Sequence, residues 1–114
     1  MAEFIPAKEE LTSKAIKVTL NDPKTKKPVA RAFVYLIKNE LHDAPYGLLE
    51  DVYVLEECRG KGLGKKIVRH AIDAAKQAGC YKLIATARYS KGWLVPFYEG
   101  LGFKKWGTEF RMDF

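Results

Sequence analysis

Apolar and polar positions alternate from residue 15 to residue 20, with Ile16, Val18 and Leu20 on one side and Lys17 and Thr19 on the other. A period of two marks a half-buried strand. A polar turn over residues 21–28 leads into residues 29–37, where the run Phe33, Val34, Tyr35, Leu36 and Ile37 breaks the alternation. Such a run predicts an internal strand covered on both faces. A third strand follows over residues 47–55. Its period sets Leu48, Glu50, Val52 and Val54 against Leu49, Asp51, Tyr53 and Leu55, with Glu50 and Asp51 on opposite faces. Leu63, Ile67, Ala71, Ala74, Ala75 and Ala78 then recur at helical spacing and predict a helix over 63–77, stopped by Gly79 at the C′ position. Residues 81–87 predict a strand, parallel to the third because a helix joins them. Residues 93–101 predict a short helix with Pro96 in its first turn. Residues 103–106 and 109–113 predict a closing hairpin about Gly107. The first fourteen residues form a loosely specified lead-in, with a short strand at Phe4 and Ile5. The expected architecture is α/β (an α+β mixed sheet) in the order β-β-β-α-β-α-β-β.

A chain of 114 residues and 12.9 kDa fits one domain spanning residues 1–114, and its 47% apolar content is enough for a packed core. No apolar run approaches the ~20 residues of a membrane helix. The start, with Glu3, Glu9 and Glu10, lacks the basic-then-apolar order of a secretory leader. Cys58 and Cys80 are too few and too far apart for a disulfide scaffold or a zinc ribbon, and no metal-ligand spacing occurs. The expected compartment is the cytoplasm.

Charge sharpens the picture through its placement. The net charge is +6, from 20 basic and 14 acidic residues. Lys24, Lys26 and Lys27 fall in the exposed turn, whereas Arg59, Lys61, Lys65, Lys66 and Arg69 surround three glycines. A nucleic-acid platform would interleave aromatic and basic residues; basic residues gathered at a helix start suit a phosphate instead. In Arg59-Gly60-Lys61-Gly62-Leu63-Gly64-Lys65, glycines permit positive φ and close approach of a ligand, and the helix start supplies unpaired N–H groups. A Walker A loop would need Gly at Arg59 and Ser or Thr at Lys66. A GxGxxG dinucleotide loop would need Gly at Lys65. Neither fits.

The segment resembles the signature of the GCN5-related N-acetyltransferases, Arg or Gln, two residues, Gly, one residue, Gly or Ala, met here by Arg59, Gly62 and Gly64 between a strand and a helix. Pro96-Phe97-Tyr98-Glu99-Gly100-Leu101-Gly102-Phe103 is similar to a second segment of that family. The resemblance extends over residues 15–114. It implies transfer of acetyl from acetyl-CoA directly to a primary amine through a tetrahedral intermediate, with no metal.

On the same resemblance, residues Arg59, Gly60, Lys61, Gly62, Leu63, Gly64 and Lys65 meet the pyrophosphate of coenzyme A. Val52, Tyr53 and Val54 form a splayed strand edge that pairs with the pantetheine arm as an added strand would. Tyr98 matches the family's tyrosine, which protonates or hydrogen-bonds the departing sulfur. Glu50 is the expected base, acting directly or through water; alternatively one of the two carboxylates holds a substrate cation while the other pairs with Arg88 or a lysine. His42 and His70 read as a loop and a surface residue. Cys58 lacks an activating histidine, Cys80 reads as a packing residue, and Tyr89 and Trp93 are either acceptor-site or core aromatics.

Typical family members carry a further strand and two helices ahead of the first long hairpin, where this chain has a little over a dozen residues. That implies an open acceptor site, entered by a large acceptor such as a protein amine or completed by a second subunit in a homodimer. The acceptor itself stays open among amino sugars, polyamines, amino acids, antibiotics and protein amines. The alternative function is a catalytically degenerate acyl-CoA-binding regulatory module.

Overall fold

The computed structural model describes residues 2–114. Four strands and two helices follow in the order β1 (Ala15–Asn21), β2 (Pro28–Ile37), β3 (Tyr46–Val54), α1 (Leu63–Gln77), β4 (Leu83–Ile84) and α2 (Leu94–Gly100). A single 3-10 turn, Glu56–Cys58, separates β3 from α1. The sheet order is β1-β2-β3-β4. β1, β2 and β3 are antiparallel neighbours, and β4 lies parallel to β3. The mixed α/β class and the helical crossover read from the sequence are both present.

The core is one helix on one sheet face. Ala30, Ala32 and Val34 of β2 and Leu49 of β3 meet Ile67, Val68, Ala71 and Ala75 of α1, and all are buried. Fully burying a side chain such as Val34, Ile67 or Val68 contributes roughly 1.5–3 kcal/mol. Alanines at the contact let the helix approach closely. α1 ends as expected: Gly79 takes φ +83°, its N–H donates to the Lys76 carbonyl, and the Cys80 N–H donates to that of Ala75. That pair of bonds is the Schellman closure.

Four expectations need correction. β2 is internal by hydrogen bonding, but only one of its faces is covered: on the other, Phe33 is half-buried and Tyr35 exposed. The alternation failed to show this because aromatic residues occupy that open face. The strand expected over 81–87 pairs with β3 only at Gly47–Leu83 and Leu48–Ile84. The closing hairpin is not formed; residues 103–114 contain no strand, and Trp106, Phe110, Met112 and Phe114 are exposed. An alternating pattern specifies a strand only when a partner edge receives it. The strand at Phe4 and Ile5 is likewise absent, and both side chains are exposed.

Gly47 shows why β3 and β4 can meet at all. A Cβ there would stand 2.8 Å from Leu83 Cδ1 and 3.1 Å from Val34 Cγ1, inside normal contact.

Candidate active site

β3 leads into the glycine segment, and the segment into α1. Gly60 and Gly62 both take left-handed backbone, at φ +81° and +77°. Gly62 is the N-cap of α1 and no side chain caps the helix. Lys66 N–H makes the first helical bond, to the Gly62 carbonyl at 3.2 Å. Among the described residues, the amides of 60–65 donate to no protein acceptor. The exposed lysines 61, 65 and 66 surround them. Beside the segment lies a hollow of about 270 Å³, walled by Asn21 at the end of β1, by Asp22 and Pro23 of the turn after it, and by Cys58, Lys61, Leu63 and Lys66. Unpaired amides, a helix dipole and clustered ammonium groups make this end of the molecule suited to a phosphate-bearing ligand.

Arg59 does something its motif position does not announce. Its Nε donates to the Val54 carbonyl at 3.0 Å, and its guanidinium lies 5.4 Å from the Tyr53 ring centroid. The side chain therefore ties the segment back to the end of β3.

The edge of β3 is open beyond its short contact with β4. β3 pairs with β2 at Ala30–Val54 and Arg31–Tyr53, and the Leu55 N–H donates to the Val29 carbonyl at 2.9 Å. That bond makes Ala30–Val54 a non-hydrogen-bonded pair, so Val54 turns its own polar groups away from β2, and by alternation so does Val52. Tyr53 turns its backbone toward β2. Of Val52, Tyr53 and Val54, the first and third turn their backbone groups away from β2, and the Val54 carbonyl already accepts from Arg59.

A β-bulge overturns the face assignment of the two carboxylates. The register slips between Arg31 and Phe33, and Asp51 takes φ +51°. The extra residue shifts the parity, so Leu49 before the bulge and Val52 and Val54 after it all turn toward the core. Glu50, opposite Phe33, and Asp51, bonded to Arg31, share the outer face and are exposed. Arg31 grips Asp51 with two bonds, Nε to Oδ2 at 3.0 Å and Nη2 to Oδ1 at 3.1 Å, while lying 4.9 Å from the Tyr53 ring centroid. The partner of Asp51 is thus Arg31, not Arg88 or a lysine. No sequence pattern points to this cluster, because its members are paired by a slipped register.

Tyr98 projects from α2. Its ring makes edge contacts with Phe97 and Phe103, each at 5.3 Å between centroids. Burial pushes its phenol above the ordinary tyrosine value, and the Glu50 carboxylate pushes it further the same way. Tyr98 thus feels the charge of a residue far away in sequence, and the phenol keeps its proton at neutral pH. Phe97 locks α2 to the helix start: its ring edge would lie 3.7 Å from a Cβ at Gly64.

Other candidates stand elsewhere. The His42 ring lies tilted against Tyr81, 4.4 Å between centroids, beside Tyr46 at the opposite end of β3 from the glycine segment. His70, Tyr89 and Trp93 are exposed, which removes the two aromatics from the core. Cys58 and Cys80 are free thiols, and burial raises the Cys80 pKa. Among the described residues no three His, Cys, Asp or Glu side chains gather as a metal site, and no helix is long and apolar enough to cross a membrane.

A glycine-lined helix start follows a strand whose outer edge is paired over only two residues, and comparison with known proteins places the chain in a family. The model of the acetyltransferase (GNAT) family matches residues 6–103, and the chain belongs to that family, whose co-substrate is acetyl-CoA. The chain is 37% identical over 67 residues to a glucosamine 6-phosphate N-acetyltransferase of Trypanosoma brucei brucei, covering 59% of this chain and 44% of that protein. Among solved structures, a putative acetyltransferase from Agrobacterium tumefaciens superposes with a TM-score of 0.77 at 34% identity, covering 87% of this chain and 68% of that one. The glucosamine-6-phosphate N-acetyltransferase of Arabidopsis thaliana gives 0.75 at 30% identity, over 88% and 67%. The chain spans less than half the length of the first curated relatives it matches.

Proposed function

We propose that this chain is an acetyl-CoA-dependent N-acetyltransferase whose acceptor is the amine of a phosphorylated amino sugar, glucosamine 6-phosphate. The observation that carries the reading is the row of unpartnered amides over 60–65 at the start of α1, directly after a strand with an open edge. The acceptor is supported by the names of relatives from Trypanosoma, rice and Arabidopsis.

Each part has a physical task. The amides of 60–65, with Lys61 and Lys65, hold the diphosphate of acetyl-CoA. Val52 and the Val54 N–H pair with the amide-bearing arm, which sets the thioester along β3. Tyr98, held neutral by burial, donates a hydrogen bond or proton to the leaving sulfur. Glu50, exposed on the outer face of the same strand, takes the proton released by the attacking amine, directly or through water. The two free cysteines are in keeping with a reducing, cytoplasmic setting.

The test is to incubate the chain with acetyl-CoA and glucosamine 6-phosphate and to follow free thiol and N-acetylated sugar phosphate together. Stoichiometric appearance of both is expected, with glucosamine and lysine peptides slower. Binding of coenzyme A without thiol release from any amine would replace the enzyme with a binding module. Absence of binding at millimolar coenzyme A would remove the cofactor reading itself.

A further inference from the structure

On β1, Ile16, Val18 and Leu20 pack toward the core, so Lys17 and Thr19 stand on the sheet face turned away from α1. Register sets Lys17 of β1, Phe33 of β2 and Glu50 of β3 abreast there, and Thr19, Arg31 and Tyr53 form the next row. Asp51 engages Arg31 through Nε and Nη2, which leaves Nη1 without a protein acceptor among the described residues. Among the same residues Lys17 and Glu50 make no ion pair, and the Lys17 Nζ rests 5.6 Å from the Phe33 ring centroid. Beside Lys17 lies a hollow of about 140 Å³, lined in part by Thr19, Arg31 and Tyr53. Phe33 continues into Tyr35, with ring centroids 6.0 Å apart and planes 14° from parallel. The row therefore opens onto an aromatic surface, half-buried at Phe33 and exposed at Tyr35.

We propose, resting on the acceptor reading above, that this face seats the amino sugar phosphate: its phosphate enters the hollow between Lys17, Thr19 and Arg31, its ring lies on Phe33, and its amine reaches Glu50. Charge complementarity selects this occupant. An unpaired cation and an unpaired carboxylate stand two strand spacings apart, about 9.5 Å between backbones, with an aromatic ring between them. A hexosamine 6-phosphate carries amine and phosphate at opposite ends of one ring, and the C–H groups of that ring suit the electron-rich face of an aromatic side chain. Lys17 supplies the net positive charge, because Arg31 is already matched by Asp51. Arg31 Nη1 and the Thr19 hydroxyl add donors. The contact between the Lys17 ammonium and Phe33 is weak and exposed, so a phosphate displaces it readily. Glu50 is the carboxylate whose charge reaches the Tyr98 phenol, which ties this end of the row to the reacting centre. A sugar without the phosphate keeps the ring and amine contacts and loses the Lys17 end.

Initial rates with glucosamine 6-phosphate and with glucosamine, on the unaltered chain and on Lys17→Met, test this. NMR of the unaltered chain bound to coenzyme A, titrated with glucosamine 6-phosphate, gives a second readout. Lys17→Met should cut the kcat/KM preference for the phosphorylated sugar about tenfold or more, mainly through KM, while Lys17→Arg retains most of it. The preference of the unaltered chain should shrink as salt rises. Phe33→Leu keeps an apolar side chain, loses the aromatic face, and should raise KM for both sugars about two- to tenfold. Saturable NMR shifts are expected at Lys17, Phe33 and Tyr35. Turnover of the sugar phosphate with a preference unmoved by Lys17→Met, or with no shifts on this face, overturns the seat and leaves the proposed activity standing. Shifts on this face without turnover uphold the seat and overturn the sugar phosphate as substrate. Neither turnover nor shifts overturns both. The NMR arm needs no variant, so it decides the matter even where a substitution fails to fold.

Discussion

Gly62→Glu separates what the helix start does for stability from what it does for binding. At φ +77° any side chain costs backbone strain, about 1–2 kcal/mol, while a Cβ meets nothing within 4 Å, so no clash adds to it. The melting temperature should fall by roughly 4–12 °C. A carboxylate there would also face a bound diphosphate. At a separation of ~5 Å each charge pair repels by about 1 kcal/mol in water and about 3 kcal/mol at an effective dielectric of ~20. Coenzyme A affinity should drop by about 5- to 150-fold per pair on that account. Gly62→Gln shares the strain and the bulk without the charge. Titration calorimetry with coenzyme A on both variants therefore isolates the electrostatic part, which should shrink as salt rises. Equal dissociation constants for the Glu and Gln variants at low salt would show that no phosphate approaches this helix start.

Tyr98 and Asp51 give two further expectations. The phenol of Tyr98 is raised above its unfolded value by burial and by Glu50, so folding disfavours the phenolate. The stability this group supports is complete below about pH 10 and is lost as pH climbs through its higher folded value; Tyr98→Phe should flatten that alkaline decline in melting temperature, and should lower turnover more than cofactor affinity. An unchanged alkaline slope and unchanged turnover would remove the phenol from both roles. Asp51 sits at φ +51° and holds an exposed ion pair with Arg31. Asp51→Gly relieves the strain while losing an exposed contact, and should be near neutral; Asp51→Val loses the same contact and adds the strain of a β-branched residue at positive φ, and should cost about 1–2 kcal/mol. Thermal melts of the two variants side by side check this, and equal losses would mean that the bulge is not what strains the position.

Elements whose signals are local were legible in the order of residues. Helical spacing and Gly79 set α1, period two set β1, and the pairing of three glycines with basic residues marked the phosphate-suited helix start. Each depends on residues a few positions apart, where backbone geometry alone dictates the outcome. The remaining features depend on partners distant in the chain. The bulge at Asp51 reversed the facing of half of β3 and put Glu50 and Asp51 on one side. Register with β2 showed which of Val52, Tyr53 and Val54 turn their backbone groups outward, and brought Arg31 onto Asp51. Residues 103–114 have the alternation of a hairpin yet form none, because pairing needs an edge within reach as well as a pattern. A strand is completed by its neighbour, and neighbours are assigned in space.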